Sequence, residues 1–186
     1  LNLSSMTFMV AMGLSVASMI RVGNQKGLQN YKELRRIAFS IFLLGALLAT
    51  LFAIFFFIFH KSLPNIYMDL NDTKNYIDNM EVVSIAADLL LVAAFFQISD
   101  SIQVVFLGAL RGLQDVKVPT ILTFISYWCV GFPVSYFLGK EDMYGSFGIW
   151  LGLLAGLTTA SVLLYIRFNT LTLKLIEEKK ELVLEN

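Results

Sequence analysis

Residues 37–59 read IAFSIFLLGALLATLFAIFFFIF, 23 consecutive residues without a charge. As an α-helix this run is about 35 Å long, enough to cross a hydrocarbon layer of about 30 Å. It is apolar on every face, so a soluble chain of this size could not cover it. In lipid every backbone N–H and C=O needs an internal partner, which only helices and closed barrels provide. The run has none of the period-2 alternation of a barrel strand, so it reads as a membrane-spanning helix.

On either side lie four more runs of the same kind: Leu3–Ile20, Val82–Leu110, Val118–Leu138 and Gly145–Ile166. Each is long enough for the roughly 20 residues a span needs. Composition agrees: charged residues make up 15% of the 186, well under the ~25% of a soluble domain. The mean hydropathy is +0.71. The fold expected is an all-α integral membrane protein, a polytopic bundle of five transmembrane helices over residues 1–166. Residues 167–186 read as a charged cytoplasmic tail that continues the last span as a helix. The chain opens at Leu1 directly into an apolar run, without the charged start and cleavage site of a signal peptide. That run is expected to be a span of a larger protein.

Lysine and arginine set the orientation. Arg21, Lys26, Lys32, Arg35 and Arg36 follow the first run, Arg111 and Lys117 follow the third, and Arg167, Lys174, Lys179 and Lys180 follow the fifth. These 11 fall on one side of a five-span chain, against Lys61, Lys74 and Lys140 on the other. The 11-residue side is expected to be cytoplasmic, with the N-terminal end outside and the C-terminal end inside. Segment 60–81 then faces outward and has room for a short interfacial helix.

Several function classes are excluded. Net charge is zero, so no basic field invites nucleic acid. The single cysteine, Cys129, cannot pair within the chain, and the single histidine, His60, joins no metal-ligand cluster. No Ser/His/Asp set, Walker-type glycine loop or HExxH motif occurs, so neither an enzyme nor an ATP-driven pump is expected.

The third run departs from its oily flanks. FFQISDSIQVVFLGALRG, residues 95–112, places Gln97, Ser99, Asp100, Ser101 and Gln103 at its middle. Asp100 lies about 16 Å along a helix from Arg111, near the bilayer midplane if Arg111 marks one boundary. A carboxyl there costs roughly 2.5–3.5 kcal/mol to insert, so it is expected to face a cavity or a partner. Gln97 and Gln103 fall about 60° to either side of it, giving one polar stripe. Such a group suits proton carriage, or binding of a cation when ionised; the alternative role is a hydrogen bond that ties helices together. Asp88 lies about 35 Å from Arg111, at the far interface, where charge is cheap. In the fifth run Gly148, Gly152, Gly156 and Ala160 recur every four residues, a small-residue stripe for close helix packing. Pro133 removes a backbone donor from the fourth run and is expected to bend it. Nearby Tyr127 and Trp128 are candidates to line a cavity. An embedded carboxyl among small-residue helices suits a secondary transporter.

Three stretches together resemble a known family: RVGNQKG after the first span, QISDSIQVVFLGALRGLQDVKVP across the third, and GSFGIWLGLLAGL in the fifth. Their most specific element is Gln97-x-x-Asp100, followed by Gly108-x-Leu110-Arg111-Gly112-x-x-Asp115. The resemblance is to the C-terminal lobe of multidrug and toxic compound extrusion (MATE) transporters. It implies that the five runs are spans eight to twelve of a two-lobed protein. It also implies that organic cations or drugs leave in exchange for protons or sodium ions, in an inner (plasma) membrane. Asp100 would be the ion-coupling and substrate acid, with Gln97 and Gln103 beside it, and the proton or sodium ion would be the only cofactor. The partners implied are membrane lipid, organic cations and the N-terminal lobe, without which this chain is expected to be inactive. Two other readings stand beside it. A lipid-linked oligosaccharide flippase of the same fold would want a cationic cavity, and no Lys or Arg falls inside a span. A non-transporting structural subunit would use Asp100 only for packing.

Overall fold

The computed structural model describes residues 2–63, 76–140 and 144–184. All regular structure there is helical: α1 (Asn2–Gly27), α2 (Tyr31–Phe59), α3 (Tyr76–Gly112), α4 (Lys117–Ile125), a π-helical turn (Ser126–Gly131), α5 (Phe132–Leu138) and α6 (Gly145–Leu184). Among the described residues, five helical stretches are long and apolar enough to cross a membrane, α4, the π turn and α5 together making the fourth. Residues 64–75, most of the segment where an interfacial helix was expected, lie outside the described residues. From Tyr76 the chain is already in α3.

α3 is the central element, packed against α1, α2 and α6. Its approach to α1 is closest at Gly108 and Gly112. A Cβ on Gly108 would run into the Ser15 backbone carbonyl, and one on Gly112 would meet the Met19 carbonyl at 2.5 Å. Glycine therefore lets two backbones touch, and Ser15 Oγ donates to the Val104 carbonyl at 2.7 Å in the same seam. The α6 stripe works alike against α5 and the π turn. Gly148 abuts Leu138, Gly152 abuts Ser135, and Gly156 faces Gly131.

The fourth span changes ladder register where the sequence predicts a bend. Pro133 has no N–H to offer the Cys129 carbonyl, and just before it the Phe132 N–H reaches back five residues to the Tyr127 carbonyl.

The end of the bundle that carries the basic residues is heavily cross-linked. A core of Val22, Leu34, Phe106, Leu110, Leu164 and Phe168 fills its interior. Around it Arg35 donates to Thr172 Oγ1 at 3.0 Å and to Asn169 Oδ1, tying α2 to α6. Arg167 pairs with Asp115 at 2.7 Å, tying α6 to the α3–α4 turn. α6 runs on without interruption through the charged tail to Leu184, 40 residues in all. Its length of about 60 Å is twice the hydrocarbon thickness.

The two turns at this end are one structure used twice. Lys26-Gly27-Leu28-Gln29-Asn30 and Arg111-Gly112-Leu113-Gln114-Asp115 are both basic-Gly-Leu-Gln-Asx. In each the glutamine is left-handed, with φ of 53° at Gln29 and 61° at Gln114. In each the Asx N–H closes on the carbonyl five residues back, Asn30 on Gln25 at 3.0 Å and Asp115 on Leu110 at 2.9 Å, a Schellman cap. Lys26 of the first turn donates to the Leu113 carbonyl of the second at 2.8 Å and to Gln114 Oε1 at 3.1 Å.

Candidate functional site

Asp100 sits in the middle of α3, on the side where α1 and α2 converge. It lines a narrow cleft with Leu14, Gly45, Ala49, Gln97 and Ser101. The cleft encloses about 20 Å³, room for one water-sized ligand. Gly45 on α2 is part of its construction: a Cβ there would stand 3.0 Å from Ser101 Oγ. Among the described residues no hydrogen bond or ion pair satisfies the Asp100 carboxylate, and the three ion pairs found there all involve other acids.

Gln97 is 7% exposed, and neither its side-chain oxygen nor its nitrogen has a hydrogen-bond partner. An orphaned buried amide costs about 1–3 kcal/mol. Its position one turn from Asp100, on the same cleft, makes the pair a polar centre whose hydrogen-bonding capacity is unused. The donors gathered here are hard oxygens: carboxylate, amide oxygen and the Ser101 hydroxyl. They suit a proton or an alkali cation, and no group of three His, Cys, Asp or Glu side chains forms a metal site among the described residues.

The polar stripe expected on one side of α3 is divided by the neighbouring helices. Gln97, Asp100 and Ser101 face the cleft. Gln103 turns the other way and accepts from the Tyr127 hydroxyl at 3.1 Å, linking α3 to the π turn. Ser99 meets α6, where its hydroxyl lies 3.0 Å from Thr158 Oγ1 and its carbonyl accepts from Ser161 at 2.6 Å. Trp128 is exposed, and with Tyr127 it lines a separate groove between the fourth span and α6. Asp88 is exposed near the start of the described part of α3. Sequence reasoning did not anticipate Gly45 or Leu14, since nothing in a single helix shows which neighbour it meets.

Comparison with known proteins follows the same lines. The model of the family described as MatE matches residues 1–137. The multidrug resistance protein MdtK of Proteus mirabilis (strain HI4320) is 38% identical over 168 residues, covering 88% of this chain and 35% of that protein. The protein of the same name from Yersinia pseudotuberculosis serotype O:1b (strain IP 31758) is 38% identical over 175 residues, covering 92% of this chain and 36% of that one. Among solved structures, the eukaryotic MATE transporter AtDTX14 superposes with a TM-score of 0.77 at 18% identity, over 95% of this chain and 39% of that one. The chain thus spans about a third of the length of the curated relatives it matches.

Proposed function

The chain belongs to the MatE family, and from that premise we propose that it forms most of one lobe of an ion-coupled antiporter that exports organic cations and drugs. The observation that carries this reading is Asp100: an acid within a membrane-spanning helix, lining a cleft, with no cationic partner among the described residues. A structural acid would be paired, because an unpaired carboxyl in hydrocarbon costs several kcal/mol and returns nothing to the fold. A coupling acid must be unpaired, so that a proton or sodium ion and a cationic substrate can compete for it.

In this mechanism the ionised carboxylate attracts the cationic drug, and the ion that replaces it neutralises Asp100 and releases the cargo. Exchange follows if the occupied forms, and not the empty ionised form, favour the switch between the two openings; a ligand shifts that balance only through differential binding. Gln97 offers its amide to whichever species occupies the cleft. The relatives named for multidrug resistance support the cargo class. The whole protein would sit in an inner membrane as a multi-pass protein, with its other lobe supplying the rest of the pathway. This chain alone would not complete a cycle.

The test is efflux of a fluorescent organic cation from proteoliposomes containing the full-length protein that carries this sequence. Efflux is expected to follow an imposed proton or sodium gradient and to ignore ATP. Efflux that needs ATP and is indifferent to both gradients overturns the proposal.

A further inference from the structure

Between the fourth span and α6 runs a groove of about 620 Å³. Its rim is a file of side chains four apart: Trp128, Phe132, Tyr136 and then Lys140. The three rings are 59%, 61% and 62% exposed, although they are among the largest side chains of their span. They do not cover the groove but wall it, and its floor is kept low by Gly131 and Gly139. At its mouth the Lys140 ammonium rests on two rings, 5.6 Å from the Tyr136 centroid and 5.8 Å from that of Phe137. Among the described residues no carboxylate pairs with it.

We propose that this groove holds one anionic phospholipid of the leaflet on the Lys140 side, its phosphate on Lys140 and one acyl chain along Trp128 and Phe132. Two features select that occupant. The first is length: Trp128 to Lys140 is about 18 Å along the helix, which matches one leaflet of about 15 Å of hydrocarbon with the phosphate just beyond it. The second is the order of chemistry along the groove, which runs from apolar rings through the Tyr136 ring to Lys140, the one charged side chain among its described lining residues. That is the sequence of chain, glycerol region and headgroup in a lipid. A protein helix seated in the groove would instead shield Trp128 from lipid, an outcome the experiment below reads directly. The inference goes beyond the transport reading and requires only that these helices span a bilayer.

The experiment uses the full-length protein with Trp128 as its sole tryptophan, Trp150 and every tryptophan outside this sequence being replaced by phenylalanine. It is reconstituted in phosphatidylcholine vesicles containing a minor fraction of lipid brominated on its acyl chains. Bromine quenches tryptophan on contact. Brominated phosphatidylglycerol is expected to quench Trp128 with an apparent affinity about fivefold above that of brominated phosphatidylcholine, the enrichment of one basic residue for an anionic headgroup. Lys140→Gln should remove that preference and leave quenching by both lipids intact, which also shows that the variant is folded with its groove open to lipid. Equal quenching by the two lipids in the unaltered protein overturns the proposal, including the case in which Glu141 or Asp142 neutralises Lys140. Absence of quenching by either lipid also overturns it, because the groove is then covered by protein.

Discussion

At the scale of single residues, the centre of α3 shows what a sequence can and cannot say about a polar group. That Asp100 lies deep in a span was legible, because distance along a helix is fixed by its rise. Which side of α3 each polar neighbour would serve was not. Gln97 and Gln103 are symmetrical about Asp100 in sequence, yet one lies unpartnered beside the cleft and the other is spent on Tyr127. The difference comes from helices 24 or more residues away, which a local pattern cannot encode. The distinction has consequences for mutants of the full-length protein. Asp100→Asn keeps shape and hydrogen-bonding capacity but cannot ionise, so coupled efflux is expected to vanish while membrane insertion and yield stay at their normal level. Asp100→Glu retains the titrating group and should keep partial activity. If Asp100→Asn exports at the normal rate with the normal ion dependence, the acid is structural. Gln103→Leu addresses a tie between helices and should weaken the fold by about 1 kcal/mol, the worth of one hydrogen bond, measured by thermal unfolding in detergent.

At the scale of elements, the bundle is organised by where side chains are missing. The stripe of Gly148, Gly152 and Gly156 was readable from its spacing. The pair Gly108 and Gly112 has the same spacing but hides inside the motif that names the family, and its use against the α1 backbone appears only in three dimensions. The turns tell a similar story. Basic-Gly-Leu-Gln-Asx occurs twice, but glutamine is a poor advertisement for a left-handed residue, so the shared cap was not evident from residue preferences. The glycines provide a controlled comparison. Gly108→Ala places a methyl against the Ser15 carbonyl, which is main chain and cannot swing aside, so α1 and α3 must part. A loss of about 1–3 kcal/mol is expected, the usual cost of overpacking. Gly13→Ala is on the same α1 but meets nothing within 4 Å in this chain. There the better helix propensity of alanine should leave stability unchanged or raise it by up to about 1 kcal/mol. Thermal unfolding of the two variants in the same detergent measures the contrast. Equal destabilisation by both would mean that the seam is not where the bundle is tight.

At the scale of the whole molecule, the two ends of the bundle are built differently. One end carries 11 of the 14 lysines and arginines, and its cations reach across to other helices: Lys26 to the α3–α4 turn, Arg35 to α6, Arg167 to Asp115, Lys179 to the Gln29 carbonyl. The opposite end holds a smaller apolar cluster of Ala53, Phe56, Leu63 and Ala94. Some of the same residues that bias orientation therefore also fasten that end. If that end lies on the cytoplasmic side, as the lysines and arginines bias it to, its cross-links hold α1, α2, α3 and α6 together there. Orientation is testable by labelling. With Cys129 and any cysteine outside this sequence replaced by alanine in the full-length protein, a cysteine introduced at Asn24, beside the first basic turn, should resist a membrane-impermeant maleimide in intact cells and react once the cells are opened. A cysteine at Asn71, in segment 60–81, should react in intact cells. Labelling of Asn24→Cys from outside would invert the topology. The cross-linked end would then face outward.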